Sequence, residues 1–221
     1  KTVHIHAFGS GDPNGRLFEV AVQSHIFCPK HAGLGFIKVS GLILEQCANG
    51  FERICTGALL AMGGHHWIIE NNTVRQINGM GIEFGFDIIE RRDKRYYSRQ
   101  DSNYGHNIVR FNRVYDCGTA GIRCHTVHYG LVESNEITDC GWQDAESHSE
   151  VAGIKLLLTY GTLIRNNHIA RLQGSEGIWC DTRNVNTRVT GNVIHDIITN
   201  WGAFFLENSP APNFVDHNVM W

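Results

Sequence analysis

The sequence has little proline, little net charge and no long apolar run. Its 221 residues include 24 glycines but only four prolines, which indicates many tight turns and few rigid ones. Basic residues (19) nearly balance acidic ones (22), so the net charge of −3 gives no electrostatic reason to expect binding to nucleic acid or an anionic membrane. No apolar run approaches the ~20 residues of a membrane-spanning helix, and residues 1–6 do not form a signal peptide. We therefore expect neither nucleic acid nor a membrane as a partner.

Cysteine is present without the spacing of disulfide scaffolds or zinc sites. The seven cysteines are an odd number and include no Cys-x-x-Cys pair, which favours a cytoplasmic location over a periplasmic or secreted one. Cys117 and Cys140 stand where neighbouring repeats carry Ile77, Leu172 and Ile197. We expect these two thiols to stack as small apolar groups in a core.

Thirteen histidines raise the question of a metal site. The candidate pairs are His65-His66 and His125-Thr126-Val127-His128. Neither pair has helical i, i+4 spacing, and adjacent residues of a strand point to opposite faces of the sheet. We expect no metal ligands and no cofactor, with a structural Ca²⁺ left open.

Self-similarity is the strongest signal in the chain. The phrase apolar-x-x-Asn-x-apolar occurs six times, with its asparagine at 72, 112, 135, 167, 192 and 218. The basic repeat is about 23 to 26 residues, and two repeats carry insertions. A second short phrase, opened by glycine or alanine, follows in the same repeat, at 81–84, 121–124, 153–156, 177–180 and 203–206.

These short, alternating, β-branched runs predict an all-β fold, a right-handed parallel β-helix with about six to seven coils. The recurrent asparagine should lie at a turn, with its side-chain amide bonded to the backbone of the next coil. An antiparallel sandwich is the alternative, since Asn49-Gly50 and Asn78-Gly79 are hairpin-type turns. A sandwich does not predict one phrase repeated six times.

The predicted organisation is one solenoid with additions. Residues 1–38 should form strands leading into it, notably at 3–6 and 18–22, and residues 39–221 should form the β-helix itself. Insertions at 87–105 and 141–151 should emerge as loops, where binding faces often lie. The lack of an initial Met and the end at Trp221, inside a repeat, lead us to expect an excerpt of a longer chain, completed by further coils or by a homo-oligomer.

When the second phrase of each repeat is aligned with the same phrase in neighbouring coils, its residues form two columns of side chains. Because strand residues alternate, the residues between the inward-facing positions should point to solvent. The first column contains Glu83, Arg123, Lys155, Trp179 and Phe205, and the second contains Gly85, His125, Leu157, Asp181 and Glu207. We predict a functional surface here, with Asp181 and Glu207 as the catalytic pair and six substrate-binding residues: Glu83, Arg123, His125, Lys155, Trp179 and Trp201.

The spacing of the two carboxylates suggests a reaction type. Asp181 and Glu207 are 26 residues apart, one repeat, and side chains of neighbouring coils lie ~4.8 Å apart. Retaining glycosidases hold their two carboxyls about 5–5.5 Å apart, whereas inverting enzymes need about 6.5–9.5 Å. The spacing therefore predicts a retaining glycosidase, and Trp179, Trp201 and Phe205 are rings on which a sugar could stack.

Gly177-Ile178-Trp179-Cys180-Asp181 and Phe204-Phe205-Leu206-Glu207 resemble the catalytic segments of the family 120 glycoside hydrolases, β-xylosidases built on a right-handed parallel β-helix. Weaker resemblance extends over much of the chain, at 12–20, 64–72, 152–156 and 214–218. The resemblance implies Asp181 as nucleophile, Glu207 as general acid/base and an oligosaccharide as substrate. Thr182 and Leu157 depart from the family by replacing an aromatic and a polar residue, and family members are much longer.

Two other functions fit the same fold. A polysaccharide lyase or uronan epimerase would use Lys155, His125 or Arg123 as its base, although this chemistry favours a more basic groove than a nearly neutral chain offers. A non-catalytic carbohydrate-binding solenoid would release no sugar and would tolerate the loss of either carboxylate.

Overall fold

The computed structural model describes residues 9, 11–50, 56–85, 105–143 and 151–221, and almost all of its regular structure is β-strand. The predicted insertions at 87–105 and 141–151 lie largely outside these residues, as does the predicted strand at 3–6. Within the described ranges, no helix is long and apolar enough to cross a bilayer.

In the described part of the chain, twenty strands form three parallel sheets, and neighbouring strands of a sheet are three positions apart in chain order. The first sheet contains β1 (Lys38–Ser40), β4 (Ile68–Glu70), β7 (Ile108–Arg110), β10 (Leu131–Glu133), β13 (Leu163–Arg165), β16 (Arg188–Thr190) and β19 (Phe214–Asp216). The second contains β2 (Ile43–Cys47), β5 (Thr73–Ile77), β8 (Arg113–Cys117), β11 (Glu136–Thr138), β14 (His168–Gln173), β17 (Val193–Ile198) and β20 (Val219–Met220). The third contains β3 (Gly57–Leu60), β6 (Met80–Gly85), β9 (Ile122–His125), β12 (Ala152–Leu157), β15 (Glu176–Cys180) and β18 (Phe204–Leu206). Each coil therefore supplies one strand to each sheet, which is the predicted parallel β-helix.

The core is a stack of aliphatic side chains inside the three sheets. The middle residues of the first-sheet strands face one another across the coils and are almost fully buried from the first strand to the sixth: Val39, Ile69, Val109, Val132, Ile164 and Val189. Cys117 pairs in register with Ile77, and the thiols of Cys117 and Cys140 are both buried in the apolar core. This confirms that the two cysteines act as small apolar core groups.

The predicted asparagine ladder is present. The backbone N–H of Asn112 donates to Asn135 Oδ1 (3.0 Å), and the Asn135 amide donates to the Val109 carbonyl (2.9 Å) and to Asn167 Oδ1 (3.0 Å). The same pattern continues through Asn192. The ladder satisfies backbone groups at the corner between the first and second sheets, where the residue before each asparagine has a positive φ and cannot continue a strand.

Removal of one ladder amide should destabilise the solenoid. Asn135→Ala leaves the buried N–H of Asn112 without its acceptor, so we expect the free energy of unfolding to fall by about 2–4 kcal/mol. Urea denaturation followed by circular dichroism measures this loss. The control is Asn14→Ala, at an exposed site outside the ladder, and equal effects from the two variants would contradict a stabilising role for the ladder.

The N-terminal segment differs from the prediction. Residues 18–22, expected as a strand, form none, and the regular element in this region is a 3₁₀ turn at Pro13–Gly15 capped by Asp12. Pairing to the solenoid begins with isolated bridges at Phe27 and Gly35. The alternation of apolar residues at 18–22 is typical of a strand with one buried face. In the structure Val20 and Val22 are largely exposed and do not pack on an apolar surface.

Ion pairs tie successive coils together on the outer face of the first sheet. Glu70 accepts from Lys38 and Arg110, and Arg188 Nη2 lies 2.7 Å from Asp216 Oδ2. The guanidinium of Arg188, helped by the hydrogen bond from Thr190, lowers the pKa of Asp216 from 3.8 to about 2. Ionised Asp216 therefore stabilises the pairing of β16 with β19.

This shift predicts a pH dependence of stability. Because the pKa of Asp216 is depressed in the folded state, its contribution is fully present above about pH 3.8 and is lost as the pH falls towards about 2. Asp216→Asn should therefore lose less stability than the parent across this interval. Thermal unfolding midpoints measured between about pH 4 and pH 2 test this, and parallel curves for the two proteins would count against the Arg188–Asp216 pair.

Candidate active site

The third sheet aligns the two predicted columns in the predicted register. Lys155 pairs with Arg123 on one side and with Trp179 on the other, and Trp179 pairs with Phe205. Backbone hydrogen bonds from Asp181 N to the Leu156 carbonyl and from Glu207 N to the Cys180 carbonyl extend the same register beyond the strand ends. Asp181 and Glu207 thus follow β15 and β18 at equivalent positions of adjacent coils, whose parallel strands lie ~4.8 Å apart.

The prediction that these columns face solvent was wrong for most of their members. Glu83, Arg123, His125 and Lys155 have no exposed surface, and Trp179 is 8% exposed. Alternation along a strand determines the face of the sheet to which a side chain points. It does not determine whether other residues cover that face. The columns therefore form a second buried layer, polar in character and outside the aliphatic core.

Glu83 and Arg123 form a fully buried ion pair. Arg123 Nη2 lies 2.6 Å from Glu83 Oε1, and Glu83 Oε2 accepts the backbone N–H of Gly57 at 3.1 Å. A charge buried to this degree must be compensated, and each partner compensates the other. This geometry suits a structural role in the third sheet.

Lys155 connects the cationic part of the first column to Asp181. Its Nζ lies 3.1 Å from Asp181 Oδ2 and 3.2 Å from the centroid of the Trp179 ring. The lysine is completely buried, whereas the Asp181 side chain is 15% exposed. The ammonium forms an ion pair with the Asp181 carboxylate, and the face of the indole stabilises the ammonium by a cation–π contact.

Thr182 holds the other oxygen of Asp181. Its backbone N–H and its hydroxyl donate to Asp181 Oδ1 at 2.6 and 2.9 Å. The carboxylate is therefore oriented through both oxygens, Oδ1 by Thr182 and Oδ2 by Lys155. In the sequence, Thr182 was notable only because it replaces the aromatic residue expected from the resemblance to the family 120 glycoside hydrolases.

Glu207 is held by the same tryptophan that lies against Lys155. Trp179 Nε1 donates to Glu207 Oε2 at 3.1 Å, and the Glu207 side chain is partly exposed. The face of the Trp179 indole thus contacts Lys155, the partner of Asp181. The N–H of the same indole donates to Glu207. Both carboxylates are oriented by side chains of β12, β15 and the turn after β15.

The aromatic residues continue from this buried layer to the surface. The Trp179 and Phe205 centroids are 5.6 Å apart, and Phe205 stacks on Trp201 at 5.3 Å with an interplanar angle of 20°. Trp201 is 59% exposed. Of the rings predicted as sugar platforms, Trp201 is therefore the most accessible.

The structure does not bring every predicted residue to the carboxylates. His125 is buried and shares a column with Asp181, but the register places Leu157 between them. Glu83 and Arg123 belong to the two coils that precede the coil of Lys155, so more coils separate them from Asp181. The immediate surroundings of the pair are Lys155, Trp179 and Thr182.

The histidine pair at 65–66 lies at an isolated β-bridge (His65 with Gly35) and the bend that follows it, and not, as assumed from the sequence, in a strand. The two Nδ1 atoms are 3.0 Å apart, and His66 stacks between Phe36 and His106 at 4.8 Å from each. Among the described residues, no group of three or more His, Cys, Asp or Glu side chains has a geometry that could hold a metal ion. The stack runs along the outside of the solenoid.

A second polar ladder supports the turns that follow the two carboxylates. Thr159 donates to Asn184 Oδ1, the backbone N–H of Asn184 donates to Ser209 Oγ, and Asn213 donates to the Asn184 carbonyl. Sequence reasoning missed these residues because it followed only the apolar-x-x-Asn phrase. The signal was available, since Thr159, Asn184 and Ser209 are spaced by one coil, 25 residues each time.

The structure resembles solved carbohydrate-active proteins. The complex of XylC with xylose matches with a TM-score of 0.69 at 25% sequence identity, over 96% of this chain and 36% of that chain. Native GH136 lacto-N-biosidase from Eubacterium ramulus matches with a TM-score of 0.61 at 13% identity, over 91% of this chain and 44% of that chain. Its selenomethionine derivative matches with a TM-score of 0.60 at 12% identity, over 86% and 43% of the two chains. The chain thus spans less than half of the length of each, and the likeness to the lacto-N-biosidase concerns the fold alone.

Sequence comparison identifies the family. No curated protein matches the sequence. Residues 37–221 match the family described as right handed beta helix region. This match covers most of the chain and agrees with the three parallel sheets, so the chain belongs to the right-handed β-helix family.

Proposed function

We propose that this chain carries the active site of a retaining glycoside hydrolase acting on β-linked xylo-oligosaccharides or a similar plant-type oligosaccharide. The observation that carries the proposal is the placement of Asp181 and Glu207 at equivalent positions of adjacent coils, with separate partners for each carboxylate. Adjacent coils suit the short separation that a covalent glycosyl intermediate requires. The likeness to XylC, solved with xylose, supports a sugar as substrate.

The first step is attack by Asp181 on the anomeric carbon. A carboxylate oxygen forms a bond to that carbon while the bond to the leaving-group oxygen breaks, and Glu207 donates its proton to that oxygen. Thr182 holds Oδ1 of the nucleophile, so Oδ2, beside Lys155, is the oxygen oriented for attack. Lys155 pairs with the carboxylate before attack and offsets its negative charge when it leaves in the next step.

The second step is hydrolysis of the glycosyl-enzyme. Glu207, now ionised, removes a proton from water, and the water oxygen forms a bond to the anomeric carbon as the bond to Asp181 breaks. Asp181 returns to its carboxylate form and Glu207 to its acid form. Two inversions at the same carbon yield a product with the configuration of the substrate.

The substrate approaches from the exposed side of the site. Asp181 and Glu207 are partly accessible, and Trp201 presents an open ring near the second carboxylate. A sugar ring stacks favourably on such a surface. The lyase alternative is less well supported, because Lys155, a candidate base, is engaged by Asp181.

The proposal is tested with a panel of aryl β-glycosides, the xyloside first. We expect release of the phenol and, in ¹H NMR, initial formation of the β-anomer of the free sugar. Initial α-anomer would refute retention while leaving a hydrolase. If no glycoside is cleaved, an unsaturated product from uronans would favour a lyase, and sugar binding without any product would favour a binding solenoid.

A further inference from the structure

Ser209 contacts the backbone of both proposed catalytic residues. Its hydroxyl lies within hydrogen-bond distance of the Asp181 carbonyl and 3.0 Å from the Glu207 carbonyl. The same oxygen accepts the backbone N–H of Asn184 at 3.0 Å. One side chain therefore bridges the two adjacent coils directly behind the carboxylate pair.

Asn184 strengthens this bridge from the other coil. Its side-chain N–H₂ donates to the Asp181 carbonyl, and its Oδ1 accepts from the backbone and hydroxyl of Thr159 at 3.2 and 2.8 Å. Asn184 has no exposed surface, so its amide is fixed by these partners. The Asp181 carbonyl thus receives two side-chain donors from the turns that follow β15 and β18.

The turn that carries Ser209 is also stiff. Two of the four prolines of the chain, Pro210 and Pro212, follow Ser209 directly, and the Pro212 carbonyl accepts the N–H of Asn186 at 2.8 Å. Proline restricts φ and so reduces the conformations open to the turn. A short, stiff turn with a bridging hydroxyl is suited to keeping constant the distance between the coils that carry Asp181 and Glu207.

We infer that Ser209 is a positioning residue of the active site, whose hydroxyl sets the spacing of Asp181 and Glu207 by tying the turn after Glu207 to the Asp181 carbonyl and the Asn184 N–H. The inference rests on the proposed function, in which carboxyl separation decides between retention and inversion. A displacement of about 1 Å of a reacting group can cost about 10²-fold in rate. Ser209 touches neither substrate nor reacting atoms, and acts only through the two backbones.

The test compares Ser209→Ala and Ser209→Thr with Ser134→Ala. Ser134 is a half-buried serine in the turn between β10 and β11, away from the carboxylates, so it controls for the loss of a hydroxyl. On an aryl β-xyloside, Ser209→Ala should lower kcat by about 10- to 100-fold with little change in KM. Ser209→Thr should restore most of kcat because it restores the hydroxyl, and Ser134→Ala should match the parent.

A second readout is independent of turnover. The indole N–H of Trp179 donates to Glu207, so its ¹H–¹⁵N signal, assigned with Trp179→Phe, reports the position of that carboxylate. It should shift in Ser209→Ala but not in Ser134→Ala. If kcat and the indole signal are unchanged in Ser209→Ala while the parent is active, the positioning role is refuted and the proposed function stands. If the parent cleaves no glycoside, the proposed function fails, and with it the catalytic role of Ser209, even if the indole signal moves.

Discussion

Asp181→Ala is expected to lower kcat for an aryl β-xyloside by at least about 10⁴-fold, as removal of a covalent nucleophile does in other enzymes. The alanine variant also leaves Lys155 buried without its carboxylate, which lowers stability. Asp181→Asn is therefore the second variant, since its side-chain oxygen can still accept from Thr182. Both variants should lose activity, and Asp181→Asn should remain folded by circular dichroism.

The control is Asp139→Ala, which removes an exposed aspartate directly after β11 that pairs with Arg171. It should retain the activity of the parent. If Asp181→Asn folds and turns over as fast as the parent, Asp181 is not the nucleophile. A trapped glycosyl-enzyme, detected by mass spectrometry with a slow fluoroglycoside, would identify the residue that is.

Glu207→Ala should show a loss that depends on the leaving group. General acid catalysis contributes about 10²- to 10⁴-fold, so a xyloside with a poorly acidic phenol should lose that much activity. A dinitrophenyl xyloside, which needs no proton to leave, should form the glycosyl-enzyme normally and then accumulate it. Azide should restore turnover and yield a β-glycosyl azide, because this anion needs no base and bonds directly to the anomeric carbon as the bond to Asp181 breaks.

Glu136→Ala is the matched control for this experiment, because Glu136 is a partly exposed glutamate of the second sheet paired with Arg113. It should respond neither to leaving group nor to azide. An α-glycosyl azide, or equal losses on both substrates, would exclude Glu207 as the acid/base. Trp179→Phe should produce a smaller loss of the same type, since it removes the N–H that holds Glu207.

The fold could be predicted because its signal is repeated. One turn asparagine per coil is required for the ladder, so Asn72 and its five successors stand at matching places in the sequence. The inward positions, such as Ile154 and Ile178, follow from strand alternation alone, and their register was correct. The N-terminal segment could not be predicted, because apolar alternation at 18–22 has the same appearance whether or not a sheet is there to pair with it.

The alignment of the candidate site could be predicted, but its burial could not. The repeat spacing places Lys155 beside Trp179. No pattern in the sequence indicates that Lys155 is fully buried or that its ammonium contacts Asp181. The contacts of Thr182 and Ser209 with Asp181 could not be predicted for a different reason. The coil spacing of Ser209 is visible in the sequence, but both contacts lie in turns beyond the strand ends, where the direction of the chain depends on local geometry.

The coil-by-coil construction also limits how such a protein can evolve. Strands pair only with those of neighbouring coils, so duplication or deletion of a whole coil preserves the order of every column. The exception is the interval between Asp181 and Glu207, because a coil inserted there would separate the two carboxylates by ~4.8 Å more. The gene is therefore free to lengthen on either side of this pair, while the stretch between the pair can accept changes only within the turns. Under the proposed mechanism, lineages that keep the Asp181–Glu207 pair should differ in coil number everywhere except at that one step.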